Sequence, residues 1–185
     1  ALGIEPVNKG KLCFTTVDTP VGQLTVACTV QGIALITTRD DAQEMLSQLG
    51  KSSHLDLAEA SLPLLTHCTQ QLQQYFAGER REFDLPCFTT GSEFTMKVWN
   101  EMFKVPYGET IPYAELAKRA GSPKAYRAAA QACHVNRLMI VYPCHRIVAS
   151  NGLGGYRGGT QVKQQLLDLE KRTPTITADK SDASC

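Results

Sequence analysis

A cysteine and a histidine stand side by side at Cys144 and His145, behind Pro143 and ahead of Arg146, in the run VYPCHRIVASNGLGGYRGG. A free thiol with a pKa of about 8.5 is only a few per cent thiolate at neutral pH. It becomes a useful nucleophile when a base takes its proton and cationic groups stabilise the sulfur anion. His145 and Arg146 supply those types, yet neighbours in an extended segment point to opposite faces, so a Cys144–His145 contact needs a turn or a bridging water. A third group should orient the imidazole. Glu170 is the acid of choice, because Leu166, Leu167 and Leu169 of VKQQLLDLEK would dock that helix on a core. Two other chemistries compete for the same residues. Cys133, His134, Cys144 and His145 have the atoms of a metal site but not the short ligand spacing of structural zinc. The glycines of GLGGYRGG suggest a phosphate loop, but they match neither G-x-G-x-x-G nor a Walker motif. They more simply let backbone approach a flat ligand, with Tyr156 stacking beside it. His67 and Cys68, with no partner at ligand spacing, read as packing residues.

Helices must carry these groups. EFTMKVWNEMFKVP places Phe94, Val98, Met102 and Val105 on one face and ends at Pro106. A short helix from about Pro112 stops at Gly121, which suits a left-handed cap. Ser122 is positioned to cap a second helix whose first residue is Pro123. Two helices joined by so short a turn form a helix-turn-helix. The second contains Ala125, Ala128, Ala129, Ala130 and Ala132, with Arg127 projecting. That is either plain helix propensity or a thin helix able to approach a groove closely. LMIVYP then reads as a buried apolar lead-in, with Tyr142 held extended by Pro143.

The first half reads as a small sheet-and-helix unit. KLCFTTVDT, GQLTVACTV and GIALITT are strand-like runs, DDAQEMLSQLG is a helix stopped by Gly50, and LPLLTHCTQQLQQYFAG is a stronger helix. On that helix Leu64, Leu65, Cys68, Leu72, Tyr75 and Phe76 fall near helical spacing. REFDLPCFTTGSEF is expected to be a strand and linker, broken at Pro86 and Gly91. The expected division is residues 1–90, an N-terminal α/β domain with linker; 91–172, a DNA-binding domain; and 173–185, a disordered tail in which Cys185 is incidental.

Composition bounds the class. With 185 residues, 43% hydrophobic and 20% charged, the chain is an ordinary soluble globular protein of one large or two small domains. Its start does not read as a signal peptide. Seven scattered cysteines without CxxC pairs argue for reduced thiols inside a cell. Residues 1–90 carry six Lys and Arg against ten Asp and Glu, whereas 91–172 carry twelve against six. A basic C-terminal half is what a polyanion partner would require, although a randomly polarised surface gives the same count.

Several of these segments together resemble one family. PCHRIV with Asn136 upstream and GGYRGG downstream, DTPVGQLTVA near the start, VWNEMFKVPYGETIPYAELAKRAGSPKAYRA, and QVKQQLLDLE resemble the bacterial-type O6-alkylguanine-DNA alkyltransferases, or methylated-DNA–protein-cysteine methyltransferases. The resemblance implies a two-domain α/β fold: a small N-terminal α/β domain with a ribonuclease-H-like sheet plus helices, and a mostly helical C-terminal winged helix-turn-helix domain. It implies irreversible, single-turnover transfer of the alkyl group from O6-alkylguanine, and perhaps O4-alkylthymine, in duplex DNA to Cys144, with base flipping through the minor groove. His145 would act through water as base, oriented by Glu170, with Asn136 bracing the turn and Tyr113 contacting the flipped nucleotide. Arg127 would fill the vacated stack, with Ser122, Lys124, Ala125, Tyr126 and Ala128 as further DNA-binding positions. Pro143, Ile147, Tyr156 and Arg157 would form the substrate pocket. No cofactor and no metal are implied, since Ala34 and Gly10 stand near the positions of zinc ligands in some members. The partner implied is double-stranded DNA carrying O6-alkylguanine, with no membrane role, and the protein acts as a monomer. It would be cytoplasmic if bacterial and nuclear if eukaryotic. Tyr142 replaces a small aliphatic residue and is expected to tighten the pocket towards methyl adducts. Two rival readings are a DNA-binding regulator with Cys144 as its sensor, and a small-molecule cysteine hydrolase.

Overall fold

The computed structural model describes residues 10–59 and 62–172; the expected tail at 173–185, with Cys185, lies outside the described residues. The chain begins with an antiparallel meander of β1 (Lys11–Thr19), β2 (Gly22–Thr29) and β3 (Gly32–Thr38). Helix α1 (Arg39–Ser53) then crosses over, so that β4 (Asp56–Glu59) returns parallel to β1 and the order is β3-β2-β1-β4. Alternation along the strands feeds two cores. Leu12, Ala27 and Leu35 meet Met45, Leu46 and Leu49 of α1. On the other face Cys13, Val17, Leu24, Val26 and Cys28 meet Leu65, Cys68, Leu72 and Tyr75 of α2 (Pro63–Phe76). The spacing of those α2 residues is the apolar stripe the sequence shows.

Two local expectations are corrected. Gly50 does not stop α1; it lies buried inside the helix, where an added Cβ would come within 3.1 Å of the Leu55 carbonyl. The stop is His54, at φ 53°, whose left-handed conformation lets the chain double back into β4. The 81–94 segment forms no regular strand either. Only Cys87 bridges to Ile33, with Pro86 accepting from the Ile33 N–H at 2.7 Å.

The second half is helical: α3 (Glu93–Phe103), α4 (Tyr113–Arg119), α5 (Tyr126–His134) and α6 (Thr160–Arg172). A 3-10 turn at Cys144–Arg146 and a two-residue parallel pair, β5 (Ile111–Pro112) with β6 (Ile147–Val148), complete it. The Ser92 side chain caps α3 by accepting from the Thr95 N–H. Trp99 is buried and donates from Nε1 to the Ala132 carbonyl at 2.8 Å, tying α3 to α5. Among the described residues no helix is long and apolar enough to cross a membrane. The two halves are joined by backbone: Ile36 of β3 donates to the Arg137 carbonyl at 2.8 Å and accepts from the Met139 N–H at 3.1 Å. The edge of the N-terminal sheet thus holds the segment that leads into Cys144.

Candidate active site and nucleic-acid interface

The lead-in to Cys144 is folded, not extended. Ile140 takes φ 73°, a conformation rarely adopted by a β-branched residue, and Tyr142 N–H closes the turn on the Leu138 carbonyl at 2.8 Å. Asn136 holds the turn together. Its Nδ2 donates to the Tyr142 carbonyl at 2.9 Å and to Cys144 Sγ at 3.2 Å, and its Oδ1 accepts from Leu138 N–H at 3.0 Å. The 3-10 turn then carries His145 and Arg146 away from the sulfur to Glu170 on α6. His145 Nε2 lies 2.8 Å from Glu170 Oε1. Arg146 donates from Nη2 to Oε1 at 2.8 Å, from Nε to Oε2 at 3.0 Å, and from Nη1 to the Val105 carbonyl at 2.7 Å. Arg146 therefore pairs with the carboxylate rather than stabilising a thiolate, which corrects that expectation.

Burial alone would raise the pKa of Glu170, but hydrogen bonds and charge from His145 and Arg146 more than offset it and hold the carboxyl at about 2. Burial pushes the His145 imidazole below its ordinary value, against the opposing pull of Glu170. An ionised carboxylate facing Nε2 fixes the proton there and leaves the lone pair on Nδ1, a buried atom with no hydrogen-bond partner. Burial raises the Cys144 thiol, opposed first by the Asn136 hydrogen bond and then by the Lys163 charge. Tyr156 lies close enough to Cys144 to favour the thiolate, yet its buried hydroxyl lacks a partner at hydrogen-bond geometry. Lys163, fully buried, donates to the carbonyls of Ile147 at 2.6 Å and Gly155 at 3.1 Å.

Cys144 opens onto a pocket of about 350 Å³ lined by Tyr113, Arg127, Gln131, Cys133, Tyr156 and Arg157, among others. Tyr113 starts α4 and donates to the Gly155 carbonyl at 3.4 Å; burial pushes its hydroxyl up to about 12. Gly154, at φ 75°, has room for no Cβ, which would lie 3.1 Å from the Tyr113 ring. Arg157 reaches from the glycine-rich loop to Asp41 of α1, at 3.5 Å. Pro143 and Ile147 are not among the lining residues. Pro143 opens the 3-10 turn, and Ile147 is fully buried with its carbonyl on Lys163. Tyr142 points away from the pocket, stacked on Trp99 at 6.2 Å and edge-on to Phe103 at 5.6 Å. The expected tightening towards methyl adducts is therefore corrected. Among the described residues no three His, Cys, Asp or Glu side chains gather as metal ligands.

On the outer face, α4 ends as expected. Gly121, at φ 82°, donates to the Lys118 carbonyl, and Ser122 N–H reaches the Ala117 carbonyl. The second helix starts later than expected, at Tyr126, with Ala125 rather than Ser122 as its cap. The Ser122 carbonyl accepts from Ala125 N–H at 2.9 Å in a separate turn, and the Ala125 carbonyl takes the first helical bond, from Ala129 N–H at 2.9 Å. Helix α5 buries Ala129, Ala132 and Cys133. It presents Tyr126, Arg127 and Ala128 to solvent, with Lys124 exposed in the turn before it, and Arg127 lies 5.8 Å over the Tyr126 ring. Sequence reasoning missed Lys163, Gln131 and the Tyr75 hydroxyl on Glu170, and it weighed Cys133 only as a metal ligand, not as part of the pocket wall. Lys163 shares the 163-166-167-170 stripe, which could have revealed it.

Two family models cover nearly all of the described chain. One is the 6-O-methylguanine DNA methyltransferase ribonuclease-like domain, at residues 12–87. The other is the 6-O-methylguanine DNA methyltransferase DNA binding domain, at residues 93–172. The constitutive methylated-DNA–protein-cysteine methyltransferase of Bacillus subtilis is 40% identical over 161 residues, covering 85% of this chain and 94% of that protein. This chain belongs to the methylated-DNA–protein-cysteine methyltransferase family. Among solved members of the family, the Mycobacterium tuberculosis OGT in complex with DNA matches with a TM-score of 0.75 and 34% identity, over 88% of this chain and 96% of that one. The M. tuberculosis O6-methylguanine methyltransferase matches at 0.73 and 32%, over 90% and 95%. The ribonuclease-like sheet followed by a helical DNA-binding domain is thus the family's architecture, and DNA binding and methyltransferase chemistry are its assignments.

Proposed function

We propose that the protein repairs DNA by moving one alkyl group from O6-alkylguanine in a duplex, and from O4-alkylthymine where it fits, irreversibly to its own Cys144. The observation that carries the reading is the Asn136-held Cys144 thiol at the wall of a pocket, with the next residue of its turn, His145, buried against Glu170 of α6. The alkylated oxygen is inaccessible inside the stack, so the nucleotide must flip out. The small Ala125 and Ala128 let α5 approach an opened minor groove, with Ser122 and Lys124 at its near end and Tyr126 beside it. Arg127, at the pocket mouth, fills the vacated stack, and Tyr156 and Arg157 wall the bound base.

In the transfer, the Cys144 proton passes through water to His145 Nδ1, and Glu170 holds the resulting imidazolium. The sulfur lone pair forms the S–C bond as the C–O6 bond breaks. The electron pair goes to guanine, which leaves neutral after taking one proton from solvent relayed through the Tyr113 hydroxyl, while the His145 imidazolium returns the Cys144 proton to solvent, so no net proton is gained or lost. A thioether does not revert, so each chain acts once. The protein acts as a monomer, in the cytoplasm of a bacterium or the nucleus of a eukaryote. The test is stoichiometry: with lesion duplex in excess, transferred methyl should plateau at one per chain. Continued turnover would favour a hydrolase instead.

A further inference from the structure

We propose that Tyr75, on α2 of the N-terminal half, is a positioning residue that sets the basicity of His145 through Glu170. The inference rests on the reading of His145 as the base of the transfer. The Tyr75 hydroxyl donates to Glu170 Oε1 at 2.9 Å, the same oxygen that faces His145 Nε2 at 2.8 Å. Both residues are essentially excluded from solvent, Tyr75 at 0% exposure and Glu170 at 3%. The other carboxylate oxygen, Oε2, takes the Gly108 N–H at 3.2 Å and Arg146 Nε at 3.0 Å. A buried tyrosine that only needed a partner could use any carbonyl; this one shares a single oxygen with the imidazole and with Arg146 Nη2, which donates to Oε1 at 2.8 Å, so it competes with both for that oxygen's lone pairs. Its ring is fixed by Phe76 at 5.2 Å, Phe83 at 5.7 Å and Tyr107 at 6.1 Å, so the hydroxyl is aimed by packing. The N-terminal half therefore contributes a donor to the transfer site.

The sign follows from the shared oxygen. A donor on Oε1 stabilises the carboxylate charge and weakens its pull on the His145 N–H. Without the Tyr75 hydroxyl, Glu170 holds the imidazolium more strongly and His145 gains its proton at higher pH. The other groups facing this cluster stay in place: Arg146 and His145 on the 3-10 turn, Tyr107 on the loop before β5, Lys163 on α6, and Tyr156 on the glycine-rich loop.

The test uses the full chain as Tyr75→Phe, with Leu72→Val on the same helix as a packing control. The ring ¹⁵N resonances of His145 are followed against pH, together with the single-turnover methyl-transfer rate from an O6-methylguanine duplex. In Tyr75→Phe the His145 midpoint should rise by about half a unit. The acid limb of the rate should move with it, about threefold in rate below the midpoint. Leu72→Val should lower the thermal midpoint and leave both pH midpoints alone. A second substitution, 3-fluorotyrosine at position 75, keeps the shape, strengthens the donor and should move the His145 midpoint down. It decides the matter if Tyr75→Phe does not fold. An unmoved His145 midpoint, or an equal shift in Leu72→Val, overturns the proposal. A shifted resonance with no methyl transfer by wild-type protein leaves the Tyr75–Glu170–His145 coupling standing and overturns the role of His145 in transfer.

Discussion

At the scale of single residues, the site depends on buried polar groups, most of them held by close partners, with His145 Nδ1 and the Tyr156 hydroxyl buried and unpartnered. Lys163 is fully buried with two carbonyls on its ammonium, so Lys163→Met removes a charge near the sulfur and leaves two acceptors unmet. The expected cost is about 2–4 kcal/mol in urea unfolding. Alkylation of Cys144 by iodoacetamide should need a higher pH than in wild type, because the charge opposing the burial-raised thiol is gone. Asn136→Ala removes three hydrogen bonds around the Cys144 turn; methyl transfer should slow by roughly tenfold or more, and stability should fall by about 2 kcal/mol. The types and order of Cys144, His145, Asn136 and Glu170 were legible in the sequence because they fall in short motifs. Tyr75 was legible only as one apolar position of a helical stripe, since a tyrosine among leucines gives no sign of what its hydroxyl meets ninety-five residues away. Arg146 was misread because sequence adjacency to a thiol does not reveal which way a turn sends the next side chain.

At the scale of elements, the helix-turn-helix shows where pattern reading stops. The left-handed Gly121 was readable because the glycine follows a short helical run. The start of α5 was not, because Ser122-Pro123 suits a helix cap and a tight turn equally well, and here the Ser122 carbonyl closes a turn on Ala125 N–H while the Ala125 carbonyl takes the first helical bond, from Ala129. Similarly, LMIVYP reads as a buried apolar lead-in with Tyr142 held extended by Pro143, while the hydrogen bonds from Asn136 and β3 fold it into a turn with Ile140 at φ 73°. Arg127→Ala should slow transfer from a duplex by roughly tenfold yet leave transfer from free O6-methylguanine base little changed, as its role is in the opened stack. Gly154→Ala should cost about 1–2 kcal/mol in thermal unfolding and slow both reactions, because the new methyl meets the Tyr113 ring.

At the scale of the whole molecule, the two halves meet along a seam of hydrogen bonds, β3 on the 137–139 backbone and Tyr75 on Glu170, joined by the ion pair of Asp41 with Arg157. The alternating strands and the α2 stripe announced the first half and the apolar face of α3 the second, but no periodicity announces a seam between elements a hundred residues apart. The seam also sets acid stability. Glu170, held at about 2, contributes stability present above its unfolded value near 4.3 and lost as pH falls towards 2, on the order of 3 kcal/mol. His145, lowered by burial, contributes stability that begins to drain as pH falls below its unfolded value of about 6.5. Urea midpoints should therefore decline from pH 7 to pH 4, and the decline should steepen below about pH 4.5. The central claim, alkyl transfer to Cys144, is tested most directly by intact mass and peptide mapping after mixing with a duplex containing O6-methylguanine, beside Cys144→Ala. One methyl (roughly 14 Da by composition) should appear on the peptide holding Cys144 and none on the variant. An unchanged mass on a protein that still binds the duplex, or a methyl that persists in Cys144→Ala, would contradict it.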